Sequence, residues 1–103
     1  IGGYAIAFLG EADMAHTSKD KDKLLARVRR IAGQVAAIET ALTENKECSS
    51  VLQLIASCRG AMGGLMSEVV EGHIRCHVIE ETDDGERTRA AQELIDVLKP
   101  YLK

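Results

Sequence analysis

Tryptophan is absent, and two tyrosines and one phenylalanine are the only aromatic residues among 103. Any core must therefore be aliphatic, and single-stranded bases would find no stacking platform. No stretch approaches the roughly 20 apolar residues of a membrane-crossing helix, so a membrane is not an expected partner. Cysteine is scarce too. The three thiols, at positions 48, 58 and 76, are an odd number with no basic n-region ahead of them, which points to reduced cysteines in a cytoplasmic protein. Strand-type alternation, a Gly-rich phosphate loop and an acid/base pair are all missing, and Cys76 and His77 are neighbours that point to different helix faces. An enzyme is not expected.

Residues 1–13, "IGGYAIAFLGEAD", read as a non-native leader or tag remnant, with Met14, Ala15 and His16 as the expected native start. Loss of Met14 would expose the Ala15 α-amine as a nitrogen ligand or an aldehyde nucleophile. The rest, 14–103, has room for one small helical domain but not for a large private core.

The net charge of −3 conceals an asymmetry. Residues 19–30 carry Lys19, Lys21, Lys23, Arg27, Arg29 and Arg30 against Asp20 and Asp22, a local +4 that leaves −7 on the remainder. A basic cluster on an otherwise acidic chain suggests a localised polyanion contact; a solvated helix face is the alternative.

Within 18–45, Leu24, Val28, Ile31, Val35, Ile38 and Leu42 recur at alternating spacings of four and three, the seam of a long amphipathic helix that Thr17 or Ser18 would cap. "TENKE" is a polar connection between antiparallel helices. Val51, Ile55, Cys58, Met62, Leu65, Val69, His73 and Cys76 carry the same rhythm through a second helix of about 30 residues, roughly 45 Å long. "ETDDGER" breaks it with a capping-box pattern at Asp83 and Glu86, and a short helix follows with Ala91, Leu94, Leu98 and Leu102 on its stripe and Pro100 near its end. Such a three-helix protomer, two long antiparallel helices and one short, cannot bury its stripes alone. The expectation is an all-α chain in an oligomeric four-helix bundle.

"EGHIRCHVI", residues 71–79, concentrates potential metal ligands. His73 and His77, four apart on a helix, share a face and can grip one ion as neutral imidazoles. Cys48 is the natural third ligand, yet 25 residues of helix place it roughly 37 Å away in the same chain. A two-fold axis between antiparallel copies of the second helix would bring Cys48 of one protomer to His73 and His77 of the other. That axis would pass near position 61 or 62, within "RGAMGGLM", where Gly60, Gly63 and Gly64 each cost about 0.5–1 kcal/mol relative to alanine unless close backbone approach offsets it. His16 is a candidate fourth ligand. Cys76 is expected as a buried interface thiol and Cys58 as a small core hydrophobe.

"LLARVRRIAGQV", "ECSSVLQLIASCRGAMGGLMSEVVEGHI" and the final "PYLK" resemble the CsoR/RcnR/FrmR family of small helical bacterial repressors, over 14–103. The resemblance implies a dimer of dimers (a homotetramer) that binds double-stranded operator DNA when apo and releases it when an inducer fills the intersubunit site. Arg27, Arg30 and Arg59 fall where the family's DNA-contacting basic residues occur. His16, Cys48, His73 and His77 are similar to the ligand set of its Ni(II)/Co(II) sensors. Copper sensors carry Cys where His77 stands, and two soft thiolates suit Cu(I) better than one thiolate among imidazoles; Zn(II) and Cu(I) stay open as ligands. Formaldehyde sensors, whose reactive Cys is matched by Cys48, usually have Pro in place of Ala15 and often an acid in place of His77. A formaldehyde-responsive repressor is therefore the alternative, and a helical metal-storage module without operator binding is the other competing class.

Overall fold

A computed structural model describes residues 20–102. Residues 1–13, expected to be a non-native leader, lie outside them, as do Met14, Ala15, His16 and the expected caps Thr17 and Ser18. Helix α1 runs Lys21–Thr43 and α2 Cys48–Ile74; a π-helical turn follows at Arg75–Ile79, then α3 at Asp84–Leu98 and a 3₁₀ turn at Lys99–Tyr101. The described residues contain no strand. The chain divides into two compact units, one comprising Lys21–Glu68 and one formed by the residues from Val69 onward.

The first unit is an antiparallel hairpin, tied by Gln34 Nε2 donating to Ser57 Oγ at 3.2 Å and by Arg27 pairing with Glu68 at 3.3 Å. Its turn is a Schellman motif: Lys46 N–H bonds to the Ala41 carbonyl at 2.9 Å and Asn45 N–H to that of Leu42 at 3.2 Å. The motif requires a left-handed residue after the helix, and Asn45 supplies it at φ 57°. Asn45 rather than general polarity makes "TENKE" a sharp reversal.

The expected seam on α1 splits into two heptad rows. Leu24, Ile31 and Ile38 turn into the hairpin, with Ile31 only 6% exposed, whereas Val28, Val35 and Leu42 stand 44%, 52% and 61% exposed. Helix α2 divides in the same way. Val51, Cys58 and Leu65 are half-buried, while Ile55 and Met62 are open, and Leu52 and Met66 add to the open side. Among the described residues only Ile31, Ala41, Ala90 and Leu94 form a buried apolar core. Coiled-coil seams bury both rows, whereas here one row of each helix stays open.

In the second unit the α-helical period stops one turn before the sequence pattern expects. Glu80 N–H bonds to the Arg75 carbonyl at 2.9 Å, an i→i+5 bond, so Cys76 lies in a π turn rather than on a continued α-helical stripe. Arg87 Nε donates to the Val78 carbonyl at 3.0 Å and satisfies part of that turn's exposed end. Helix α3 begins as expected: Asp83 Oδ2 accepts from Glu86 N–H at 2.8 Å. The reciprocal half of the capping box is not made. Asp83 N–H donates to Glu81 Oε2 at 3.2 Å instead, and Glu86 turns to Arg89. Pro100 ends α3 at Leu98, leaving Leu102 outside it and 71% exposed; Ala90 and Leu94 are the buried residues of α3, with Ala91 half-buried beside them.

Candidate metal centre and DNA-binding face

His73, the penultimate residue of α2, is completely buried, the only fully buried large side chain among the described residues. Its Nε2 lies 3.0 Å from the Ala90 carbonyl oxygen. A carbonyl only accepts, so Nε2 carries the hydrogen, and the neutral ring that a metal requires presents its lone pair at Nδ1. Ala90, 2% exposed, brings the α3 backbone close enough for this bond. A ring fixed through its other nitrogen is the arrangement that orients histidine ligands in metal sites. His77, half-buried in the π turn, has its ring centroid 5.2 Å from that of His73, with the planes tilted by 44°. The expected pair is therefore brought together, His73 from the last turn of α2 and His77 from the π turn that follows it.

Cys48 is the first residue of α2 and an exposed free thiol; Cys58 and Cys76 are free and half-buried. Among the described residues no group of three or more His, Cys, Asp or Glu side chains is placed to hold a metal. Within one protomer the histidine pair is not joined by a third such donor from that range. His16 lies outside the described residues.

Lys21, Lys23 and Arg29 of the basic cluster are exposed on the hairpin, and Lys19 lies outside the described residues. Arg30 and Arg59 are exposed. Arg27 is not: its side chain is 32% exposed and pairs through Nη2 with Glu68 Oε1 at 3.3 Å, while Lys23 Nζ reaches Glu68 Oε2 at 3.4 Å. A Cβ added to Gly64, one turn before Glu68, would stand 3.1 Å from Arg27 Nη1, whereas one on Gly60 or Gly63 would meet nothing within 4 Å. Gly64 thus makes room for Arg27 inside the protomer, a role that the GxxxG spacing did not suggest. Glu68, which speaks against a membrane setting for the glycine segment, gains a second role here as partner of Arg27 and Lys23. A signal for that role was present, because it is the single acidic residue between Cys48 and Val70.

A buried, hydrogen-bonded histidine beside a second one, and, in the other unit, a helical hairpin with exposed basic residues, are each features that suit a small ligand-responsive DNA-binding protein. The chain belongs to the metal-sensitive transcriptional repressor family, whose sequence model matches residues 20–100. It is 44% identical over 90 residues to the transcriptional repressor RcnR of Salmonella typhimurium, covering 87% of this chain and all of that one. An uncharacterized protein in the bioA 5' region of Serratia marcescens is 50% identical over 91 residues, with 87% of this chain and 100% of that protein covered. Among solved structures, a Glu-to-His variant of the formaldehyde-responsive regulator FrmR from Salmonella enterica serovar Typhimurium superposes with a TM-score of 0.76 at 46% identity, over 82% of this chain and 96% of that one. The family is one of transcriptional repressors and not of enzymes, and membership brings operator DNA, self-association and metal binding with it. No helix among the described residues is long and apolar enough to cross a membrane.

Proposed function

We propose that the chain is a cytoplasmic Ni(II)- or Co(II)-responsive repressor that holds operator DNA when apo and releases it when metal binds between protomers. Cys48 of one protomer and His73 and His77 of its partner supply the ligands, with His16 as a fourth. The observation that carries this reading is the buried His73 ring, fixed by Ala90 and facing His77 at 5.2 Å. One thiolate among imidazoles matches borderline divalent ions better than Cu(I). The open apolar rows of α1 and α2 support a helical dimer, and two such dimers form the proposed homotetramer. Arg27, Arg30 and Arg59 contact the DNA backbone. Metal and DNA are then coupled reciprocally, each weakening the other by the same factor, typically worth about 1–3 kcal/mol.

A second reading has support of its own: Cys48 is exposed and free, and the FrmR neighbour is described as formaldehyde-responsive. In that case a covalent adduct at Cys48 replaces the metal. Titrating the operator complex with Ni(II), Co(II), Zn(II), Cu(I) and formaldehyde separates the two. Release at substoichiometric to equimolar Ni(II) or Co(II), with none by formaldehyde, is expected; release by formaldehyde alone would reverse the assignment.

A further inference from the structure

The Glu68 carboxylate faces Arg27, one of the proposed DNA contacts, and Lys23, one turn before it on α1. Each of its oxygens is taken by a different cation, Oε1 by Arg27 and Oε2 by Lys23. Both terminal nitrogens of Arg27 are turned toward α2, Nη2 onto Glu68 and Nη1 over Gly64. A guanidinium grips phosphate through that same fork of N–H groups. In this arrangement one arm of the fork is engaged by the carboxylate, and the Lys23–Arg27–Glu68 cluster carries +1 instead of +2. The cleft left by Gly64 lets the guanidinium lie down against α2, so the contact is built from both helices.

We propose that Glu68 is an internal competitor for the DNA phosphates, an anion placed on the hairpin to hold Arg27 and Lys23 back and so cap the affinity of the apo repressor for DNA. The proposal rests on Arg27 belonging to the DNA-binding face. Phosphate must displace the carboxylate, and each displacement offsets part of the gain from counterion release. A pair of partly exposed ions is a weak latch, which suits this role: it lowers DNA affinity by a modest factor without preventing binding. Placing the anion on α2, five residues before His73, also puts the latch on the helix that carries the inducer ligands.

Two substitutions remove the charge while keeping the side-chain length, Glu68→Gln and Glu68→Met, the second retaining good helix propensity if the amide packs badly. Operator and non-specific duplex binding are measured from about 50 to 300 mM salt. Both variants are expected to bind roughly two- to fivefold tighter per engaged protomer. The salt slope should steepen by up to about 0.9 per additional phosphate engaged, a change that altered packing alone would not produce. In an Arg27→Ala background the gain should shrink to what Lys23 contributes. Unchanged or weaker binding with an unchanged slope in both variants overturns the competitor role while leaving the DNA face intact. If Arg27→Ala alone changes neither affinity nor slope, the DNA-face assignment itself falls, and the competitor role falls with it.

Discussion

Val35 sits in the middle of the open row on α1, with 52% of its surface still exposed. In a helical bundle that remainder is covered by the partner, a contribution of about 1 kcal/mol per protomer for half a valine side chain. Replacing Val35 by Glu removes that gain and places a carboxylate in a seam whose neighbours, Val28 and Leu42, offer it no hydrogen bond. Desolvating such a group costs on the order of 2–5 kcal/mol even after relaxation. Two-fold symmetry counts the substitution twice, so the dimer should lose roughly 6 kcal/mol or more, a factor above about 10⁴ in its dissociation constant. Val35→Ala, which only shortens the side chain, should cost about 1 kcal/mol per protomer and leave the assembly intact at micromolar protein. Sedimentation equilibrium of both variants against the parent chain checks this. A Val35→Glu protein with the parent's mass and stability would mean that the open row faces solvent and that the bundle is built from other surfaces.

Two further expectations concern the basic face and the histidine pair. Arg30→Ala should weaken operator binding and lower the magnitude of the salt slope by about 0.9 for each phosphate that the side chain neutralises, read from binding isotherms at several salt concentrations; no change would place the DNA elsewhere. His73→Leu and His77→Ala should both abolish inducer-dependent release. The former should also cost about 1–3 kcal/mol of stability, because it removes the buried bond to Ala90. A His73→Leu chain with the parent's stability in urea denaturation would contradict the structural role given to His73.

The helices themselves were legible because their apolar residues repeat without interruption, from Leu24 to Leu42 and from Val51 to Val69. Asp83 was legible as a cap because a short carboxylate three residues before Glu86 has one obvious N–H to accept from, and it does so. Three features were not. The π turn at Arg75–Ile79 follows from no residue type that sequence periodicity weighs, and assuming a 3.6-residue period carried the stripe straight on to Cys76. The Schellman turn depends on a single left-handed residue, Asn45, which the general polarity of "TENKE" does not single out. The roles of Gly64 and Glu68 toward Arg27 emerge only when it, distant in sequence, is laid across them. The histidine pair was visible from spacing, whereas the bond to Ala90 that fixes its tautomer joins residues 17 apart on different helices.

Mixed dimers of Cys48→Ala and His73→Ala chains test whether the proposed site is shared between protomers. One interface of such a dimer combines an intact Cys48 with intact His73 and His77 from the other chain, while the second lacks both; neither homodimer has a complete site. Co(II) titration, followed by thiolate-to-metal charge-transfer absorbance in the near ultraviolet, should show one tight ion with sulfur coordination per mixed dimer and none in either homodimer. A mixed dimer without that absorbance would contradict ligation in trans, and the intersubunit centre would have to be abandoned.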